Sequence, residues 1–392
     1  MKNLRLGFYF HVPAVAKDGG IYMPGFQGRF VDSLASYCNE VVCFLHSPLA
    51  SELTSMDYRI TFPNVSLVNI GPHISVIGRV LSANKFTALL RLYTDDLDCI
   101  LLRGPSPLLP AMSTASSLPV ALLLVGDYTT GVNDLPQPIW RKEIIRLWSY
   151  WNKWQQNKIV RHSLTFVNSR VLYDELKTKS PNLYETRTTT LTTSDFFVRS
   201  DTCQSAQCVL LYVGRMDRAK GLLHMVEAVA LLTALGKKVS LDLVGWSTPN
   251  DPILEQVEKL AQAKGISERV KYRGPCSLGP ELFDYYIKSD IFVTASLASE
   301  GFPRTIWEAM AHSLPVVATR VGSIPAFIEG AAQLVEPNNS AKLADTIFEL
   351  LNSPDLRKNY IQKGMDLARK NTLDVQVGDM VRTIRNWIGE TI

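Results

Sequence analysis

Two cations and two carboxylates in the second half of the sequence have the types and spacing to act on a diphosphate and on sugar hydroxyls. Arg215 and Lys220 follow the apolar run of LLYVGRMDRAKG, from Leu210 to Gly221. A guanidinium fork and an ammonium point charge together suit a diphosphate, on which negative charge builds as a bond to it breaks. In SEGFPRTIWEAM, from Ser299 to Met310, Glu300 and Glu308 have seven residues between them. That spacing keeps them off one helical face and predicts separate tasks. A carboxylate accepts paired hydrogen bonds from vicinal hydroxyls, as on a ribose or a hexose. Between the two acids, the turn Gly301 to Ile306 opens a predicted helix whose first N–H groups would seat a phosphate. Each feature also has a plain reading: Arg215 and Lys220 as surface cations beside a turn, Glu300 as a helix cap, Glu308 as a solvated acid.

The elements that must position these residues are short apolar runs alternating with helical-period segments, the pattern of α/β layers. Strands are predicted over Leu6 to Phe10, Val41 to Leu45, Val65 to Ile70, Cys99 to Leu102, Val120 to Val125 and Thr165 to Val167. Helices such as Phe26 to Tyr37 and Phe86 to Tyr93 separate them. The pattern restarts with Val209 to Val213, Val239 to Val244, Val270 to Tyr272, Ile291 to Thr294, Pro315 to Ala318 and Gln333 to Val335. Two doubly wound sheets follow. Thr186 to Ser205 is rich in Thr, Ser and Asp and reads as a linker. Domains are expected at 1–198 and 199–374, with a helix over 375–392 that carries Val381, Ile384, Trp387 and Ile388 on one face and packs on either domain.

Gly214-Arg215, Lys220-Gly221, SEGFPRTIWEAM and PVVATRVGSIPAFI (Pro315 to Ile328) together closely resemble the C-terminal domain of retaining glycosyltransferases of family 4, over roughly residues 207–352. The resemblance implies the GT-B fold: two Rossmann-like doubly wound domains facing across a deep cleft. It implies that Glu300 meets the hydroxyls of the donor sugar near the reacting carbon and that Glu308 holds the ribose. It also implies that Arg215 and Lys220 bind the diphosphate beside Gly214, and that Gly274 and Pro275 seat the base. Gly301, Phe302, Pro303, Thr305 and Ile306 would approach the phosphates and ribose. The sequence departs from the family pattern at three points: Pro303 follows Phe302 where Gly is usual, Ser313 stands for Gly, and Gly322-Ser323-Ile324-Pro325-Ala326 lacks the usual acid. The implied reaction passes a sugar from a nucleoside-diphosphate sugar to an acceptor hydroxyl with retention at the anomeric carbon. No metal and no cofactor is expected, and Glu300 is a sugar positioner, not a covalent nucleophile. A GT-B epimerase and a non-catalytic nucleotide-sugar-binding module are the rival readings.

The first half resembles the family more weakly and is expected to bind the carbohydrate or lipid-linked acceptor. Gly19 and Gly20, then Gly25 and Gly28, lie between the first strand and the first helix, in the loop that in the family approaches the donor phosphate; Gly20 and Gly25 are the candidates. Asp127 follows the strand Val120 to Val125 at the ligand-binding edge of the sheet and is a catalytic candidate; His11 ends the first strand. Asp96-Leu97-Asp98 precedes a strand and reads as a solvated loop, not a metal site.

Residues 139–162 hold Trp140, Trp148, Trp151 and Trp154, four of the seven tryptophans, among Arg141, Lys142, Arg146, Lys153, Lys158 and Arg161. They form either a helix that docks on an anionic membrane or a packed helix that fills a core. The 392 residues carry 41 Lys and Arg against 37 Asp and Glu, a mild excess that does not demand nucleic acid. The six cysteines have no C-x2-C spacing, and no apolar run reaches the roughly 20 residues that span a bilayer. The expected setting is the cytoplasm, with peripheral contact to the inner face of a membrane, in glycan, glycolipid or cell-envelope polysaccharide synthesis.

Overall fold

The computed structural model describes residues 4–129, 138–247, 251–297 and 302–391. The chain divides into two compact units, one of Met1–Thr188 with Leu373–Ile392 and one of Thr189–Thr372.

The strands of the first unit are β1 (Arg5–Tyr9), β2 (Val15–Lys17), β3 (Gly20–Met23), β4 (Glu40–Ser47), β5 (Tyr58–Arg59), β6 (Val65–Pro72), β7 (Cys99–Gly104), β8 (Val120–Leu124), β9 (Leu164–Val167) and β10 (Leu183–Glu185). Those of the second are β11 (Cys208–Val213), β12 (Val239–Val244), β13 (Val270–Gly274), β14 (Ile291–Thr294), β15 (Val316–Thr319) and β16 (Gln333–Val335). The main sheets run β10-β9-β8-β7-β1-β4-β6 and β13-β12-β11-β14-β15-β16, with every strand pair parallel. Both are doubly wound Rossmann-like sheets, and strand order reverses between β1 and β7 in one and between β11 and β14 in the other. At such a switch point the loops beyond the strand ends diverge and leave a crevice for a ligand.

Apolar runs make these strands because both faces are covered. In β7, Cys99 and Leu101 pack into one core of the first unit while Ile100 and Leu102 pack into the other. In β11, Leu210 and Tyr212 face one core of the second unit and Leu211 and Val213 its opposite. Side chains alternate across a strand, so a strand buried on both sides must be apolar at nearly every position.

Two features differ from expectation, and a third, the place of the last helix, is one that the sequence leaves open. Between β1 and the helix Gly25–Tyr37 the chain forms a small antiparallel sheet, β2-β3-β5. Asp18 and Gly19 both have positive φ, 50° and 68°, as a two-residue type I′ hairpin turn requires. Gly20 therefore sits in a strand paired with Lys17, and the Gly25 N–H is given to Asp57 Oδ1 at 2.8 Å. That bond takes from Gly25 the donor a phosphate would need.

The Thr-rich stretch is a strap on the second unit, not a slack linker, so this unit begins at Thr189, ahead of the expected 199. Leu191 is buried in its core, the Phe197 N–H donates to the Ala311 carbonyl, and the Arg199 guanidinium donates to the carbonyls of Ile287 and Ser289. Asp201 takes two bonds from Arg357, at 2.8 and 2.9 Å, with both side chains buried.

The last helix, Leu373–Thr391, returns to the first unit. Val377, Met380, Val381, Ile384 and Ile388 fall at helical spacing and enter the core that holds Leu6, Phe8 and Leu34.

Candidate functional site

The carboxyl ends of β11, β12, β13 and β14 carry four loops bonded to one another. Gly214 N–H donates to Val244 O, Met216 N–H to Trp246 O, Gly245 N–H to Gly274 O and Leu297 N–H to Ala219 O, at 2.8 to 3.0 Å. Two glycines make this possible. A Cβ on Gly221, which has φ +67°, would lie 2.0 Å from the Ala295 carbonyl oxygen, and one on Gly245, at φ +140°, would lie 1.9 Å from that of Gly214. Only glycine combines this backbone with so close an approach. Gly214, Arg215, Lys220, Gly274 and Pro275 are thus brought to one edge of the second sheet.

Arg215 is half-exposed and forms an ion pair with Asp217; its guanidinium lies 5.9 Å from the centre of the Trp246 ring. Trp246, which the sequence reading did not single out, is 54% exposed. Lys220 is half-buried in the turn Arg218–Lys220, just before the helix Leu222–Ala234.

The helix Arg304–Ala311 follows β14, with Pro303 at its N-cap and no side chain capping it. Its first turn is the expected phosphate seat, and it needs three corrections. The Ile306 N–H donates to Pro303 O at 3.1 Å, so that donor is spent. The Phe302 ring is buried against Trp307 and Phe327, with centroids 4.4 and 5.3 Å away, and is a core side chain. Thr305 is half-buried in the first turn. Glu300 and Gly301 lie outside the described residues.

The third correction concerns Glu308. It is 2% exposed, and its two oxygens accept from Thr190 Oγ1 and from the Tyr286 hydroxyl, each at 2.8 Å. It is a buried, internally bonded carboxylate and not the solvated acid of the plain reading. Burial, and then the neighbouring Glu308 charge, pushes the Tyr286 phenol well above its ordinary range, so it remains a donor. His312 stacks on Tyr286 with centroids 5.2 Å apart, and its Nδ1 lies 2.7 Å from the Glu308 carbonyl oxygen. Burial lowers its pKa, so it stays neutral. Ser313, standing where glycine is usual, adopts φ 56°; its hydroxyl donates to Phe197 O and accepts from Arg199 N–H of the strap. Those bonds offset the steric cost of a left-handed serine.

In the first unit, Asp127 follows β8 as expected, but its carboxylate is occupied. Lys153 Nζ lies 2.5 Å from Oδ2, and Thr129 donates twice to Oδ1. Burial raises this carboxyl, yet the Lys153 and Thr129 bonds outweigh it and hold the pKa below the ordinary value. A strongly paired carboxylate makes a poor general base near neutral pH, and Asp127 is paired with Lys153. Asp96 and Asp98 both face Arg5.

Thr190, Tyr286 and Trp246 escaped the sequence reading. A Thr in a Thr-rich stretch and a Tyr on a helix 22 residues before its partner give no spacing signal; Trp246, directly after the strand-ending Gly245, could have been found from its place beyond β12.

The family model for glycosyl transferases group 1 matches residues 199–366. The chain is 29% identical over 184 residues to the alpha-D-kanosaminyltransferase of Streptomyces kanamyceticus, covering 46% of each chain. It is 36% identical over 155 residues to D-inositol 3-phosphate glycosyltransferase 1 of Catenulispora acidiphila, covering 37% of this chain and 36% of that one. These matches span less than half the length of the curated relatives. Among solved structures, the sucrose-phosphate synthase of Thermosynechococcus elongatus superposes with a TM-score of 0.73 at 18% identity, over 98% of this chain and all of that one. Anabaena HepE in complex with UDP superposes with a TM-score of 0.72 at 16% identity over the same shares. The likeness gives the fold, which is GT-B. Residues 199–366, which carry the Arg215 and Lys220 loop and the helix Arg304–Ala311 on one sheet edge, are thus the part of the chain that is similar to the glycosyl transferases group 1.

Proposed function

We propose that the protein is a glycosyltransferase that moves a sugar from a nucleoside-diphosphate sugar to an acceptor hydroxyl, with retention at the anomeric carbon and without a required metal. The observation that carries this reading is the convergence, beyond β11 to β14, of Arg215, Lys220 and the uncapped start of the helix Arg304–Ala311. Two cations and a helix N-terminus match a diphosphate, and they stabilise it most as it departs with the bonding electrons of the sugar. Trp246, beside Arg215, offers an exposed face on which a base or sugar could stack. Glu308 is a positioning residue: through Thr190 it ties the strap, and through Tyr286 the helix Pro280–Lys288, to the helix that meets the phosphates. The first unit takes the acceptor.

Calorimetric titration with UDP, GDP and ADP tests the donor site. Arg215→Ala should weaken the bound nucleotide by about tenfold or more, as for loss of a charged hydrogen bond; unchanged affinity removes the site. Nucleoside diphosphate released only when an acceptor is added distinguishes a transferase from an epimerase or a non-catalytic binder.

The helix Ile139–Val160 supports peripheral docking on an anionic membrane. Its buried residues are Ser149, Asn152, Gln156 and Val160, whereas Trp140, Leu147, Trp151 and Trp154 are each more than half exposed. Basic side chains, among them Arg141, Arg146 and Lys158, accompany them. A helix with small and polar residues inside and indole rings outside, flanked by cations, has the amphipathicity of an interfacial helix. No helix among the described residues is long and apolar enough to cross a membrane.

A further inference from the structure

The first sheet's own ligand-binding edge holds a cluster of nitrogen-bearing side chains that the donor site does not use. His11 lies two residues beyond β1, His46 near the end of β4, His73 directly after β6, Arg103 near the end of β7 and Arg79 on the helix Val76–Leu81. The parallel order β6-β4-β1-β7 sets these strand ends side by side. The His46 and His73 rings are 5.7 Å apart, the Arg103 guanidinium is 4.8 Å from the Phe10 ring, and that ring is 4.2 Å from His11. The charge of Arg79 bears on His11, His46 and Tyr9.

Arg79 is 6% exposed, and its Nε and Nη1 atoms are buried with no hydrogen-bond partner; the same holds for His11 Nδ1, His46 Nε2 and His73 Nε2. The carboxylate bearing on this cluster, Glu52, already accepts from His73 Nδ1 at 2.7 Å and from the Leu49 N–H at 2.8 Å. A buried guanidinium with two idle donors is costly to keep, so a fold that holds one is shaped for a partner that arrives from outside. Metal ions do not answer the need, because Arg79 repels them and no three His, Cys, Asp or Glu side chains among the described residues converge as ligands.

The tautomers sharpen the chemistry. His46 Nδ1 faces the Gly71 carbonyl and His73 Nδ1 faces Glu52, so both Nδ1 atoms carry hydrogen and both Nε2 atoms present a lone pair when the rings are neutral. Burial, followed by the Arg79, His73, Arg103 and His46 charges, pushes His11 down to about 3, and burial above all takes His46 down to about 4. The cluster thus combines two guanidinium nitrogens without a protein partner with two imidazole acceptors.

We infer that this cluster is an acceptor-binding site for a hydroxylated molecule carrying an oxyanion, a phosphate ester or a carboxylate, with Arg79 donating to the anion and His46 and His73 accepting from hydroxyls. The inference rests on the glycosyltransferase reading for the word acceptor alone; the binding itself is independent of it. The site recognises the anion through the planar donor edge of Arg79 and the polyol through the two Nε2 atoms.

The test uses the full chain without donor. Glucose 6-phosphate, glucuronate and glucose are titrated by calorimetry and by the ring resonances of the six histidines. Glucose 6-phosphate or glucuronate, whichever oxyanion the site takes, should bind and move three of the histidine signals, with glucose bound at least about tenfold more weakly. Arg79→Gln should lower the affinity of the anion about tenfold, and Arg215→Ala should leave it unchanged. Equal affinity for glucose, an unaffected Arg79→Gln variant, or sensitivity to Arg215→Ala instead would overturn the proposal. Should Arg79→Gln fail to fold, the histidine resonances of the unaltered protein decide: no shift with either anion overturns it. Parallel titration with UDP, GDP and ADP keeps failure here distinct from failure of the donor site.

Discussion

Glu308 is buried, and both of its carboxylate oxygens already accept a hydrogen bond. Its oxygens are bonded to Thr190 and Tyr286 inside the second unit, so Glu308→Gln should lower stability by about 1–3 kcal/mol, as for hydrogen bonds to a charged group. Urea unfolding measures this. A positioning role predicts equal loss of affinity for UDP and for inorganic pyrophosphate; a loss confined to UDP would return Glu308 to the ribose. His11 and His46 give a second prediction. In the unfolded chain they take up protons near 6.5, in the fold only near 3 and 4. The unfolded state then holds more protons between those values, so stability falls as pH drops from about 6.5 toward 4. Urea midpoints at pH about 7.5 and about 5 should differ, and His46→Gln should narrow the gap. At this scale the placement of Arg215 and Lys220 is legible in the sequence because both sit on one strand-to-helix junction. It could not identify the Arg79 cluster, whose members come from separate strands and meet only through the sheet order.

At the scale of elements, each strand expected from an apolar run is present. The reason is physical: a strand covered on both faces has no position to give to a polar residue, so its signature is local. The strap Thr189–Arg199 was illegible because its anchors are polar bonds to distant groups, Thr190 to Glu308 and Arg199 to helix-end carbonyls, and composition alone reads such a stretch as solvent-facing. The β2-β3 hairpin has a local signal, Asp18-Gly19, a pair that suits a type I′ turn as well as glycines suit a phosphate loop. The helix Ile139–Val160 was legible as amphipathic but not as to which side faced in; its small buried face settles that. Replacing Trp140, Trp151 and Trp154 by Ser should reduce binding to vesicles of about 30 mol% anionic lipid by about tenfold, while thermal unfolding is unchanged because these rings are exposed. Co-sedimentation that persists in the triple variant would count against docking.

At the scale of the whole molecule, the chain passes from one unit to the other near residue 188 and back near 372. The first core is completed by Leu373, Val377, Met380, Val381, Ile384 and Ile388, each contributing about 1.5–3 kcal/mol when fully buried. A chain ending at Thr372 forfeits about 9–18 kcal/mol by that measure, comparable with a domain's whole usual margin of about 5–15 kcal/mol. The first unit of that truncated protein should be open to protease while 189–372 stays protected; uniform protection of both would contradict this.

The return of the last helix also sets an order of events in the living cell. Translation delivers every strand of the leading sheet first, yet that half waits, part of its core uncovered, until the helix Leu373–Thr391 has left the ribosome. The later-made half matures ahead of the earlier one, and nascent chains should need chaperone cover mainly for the portion synthesised first.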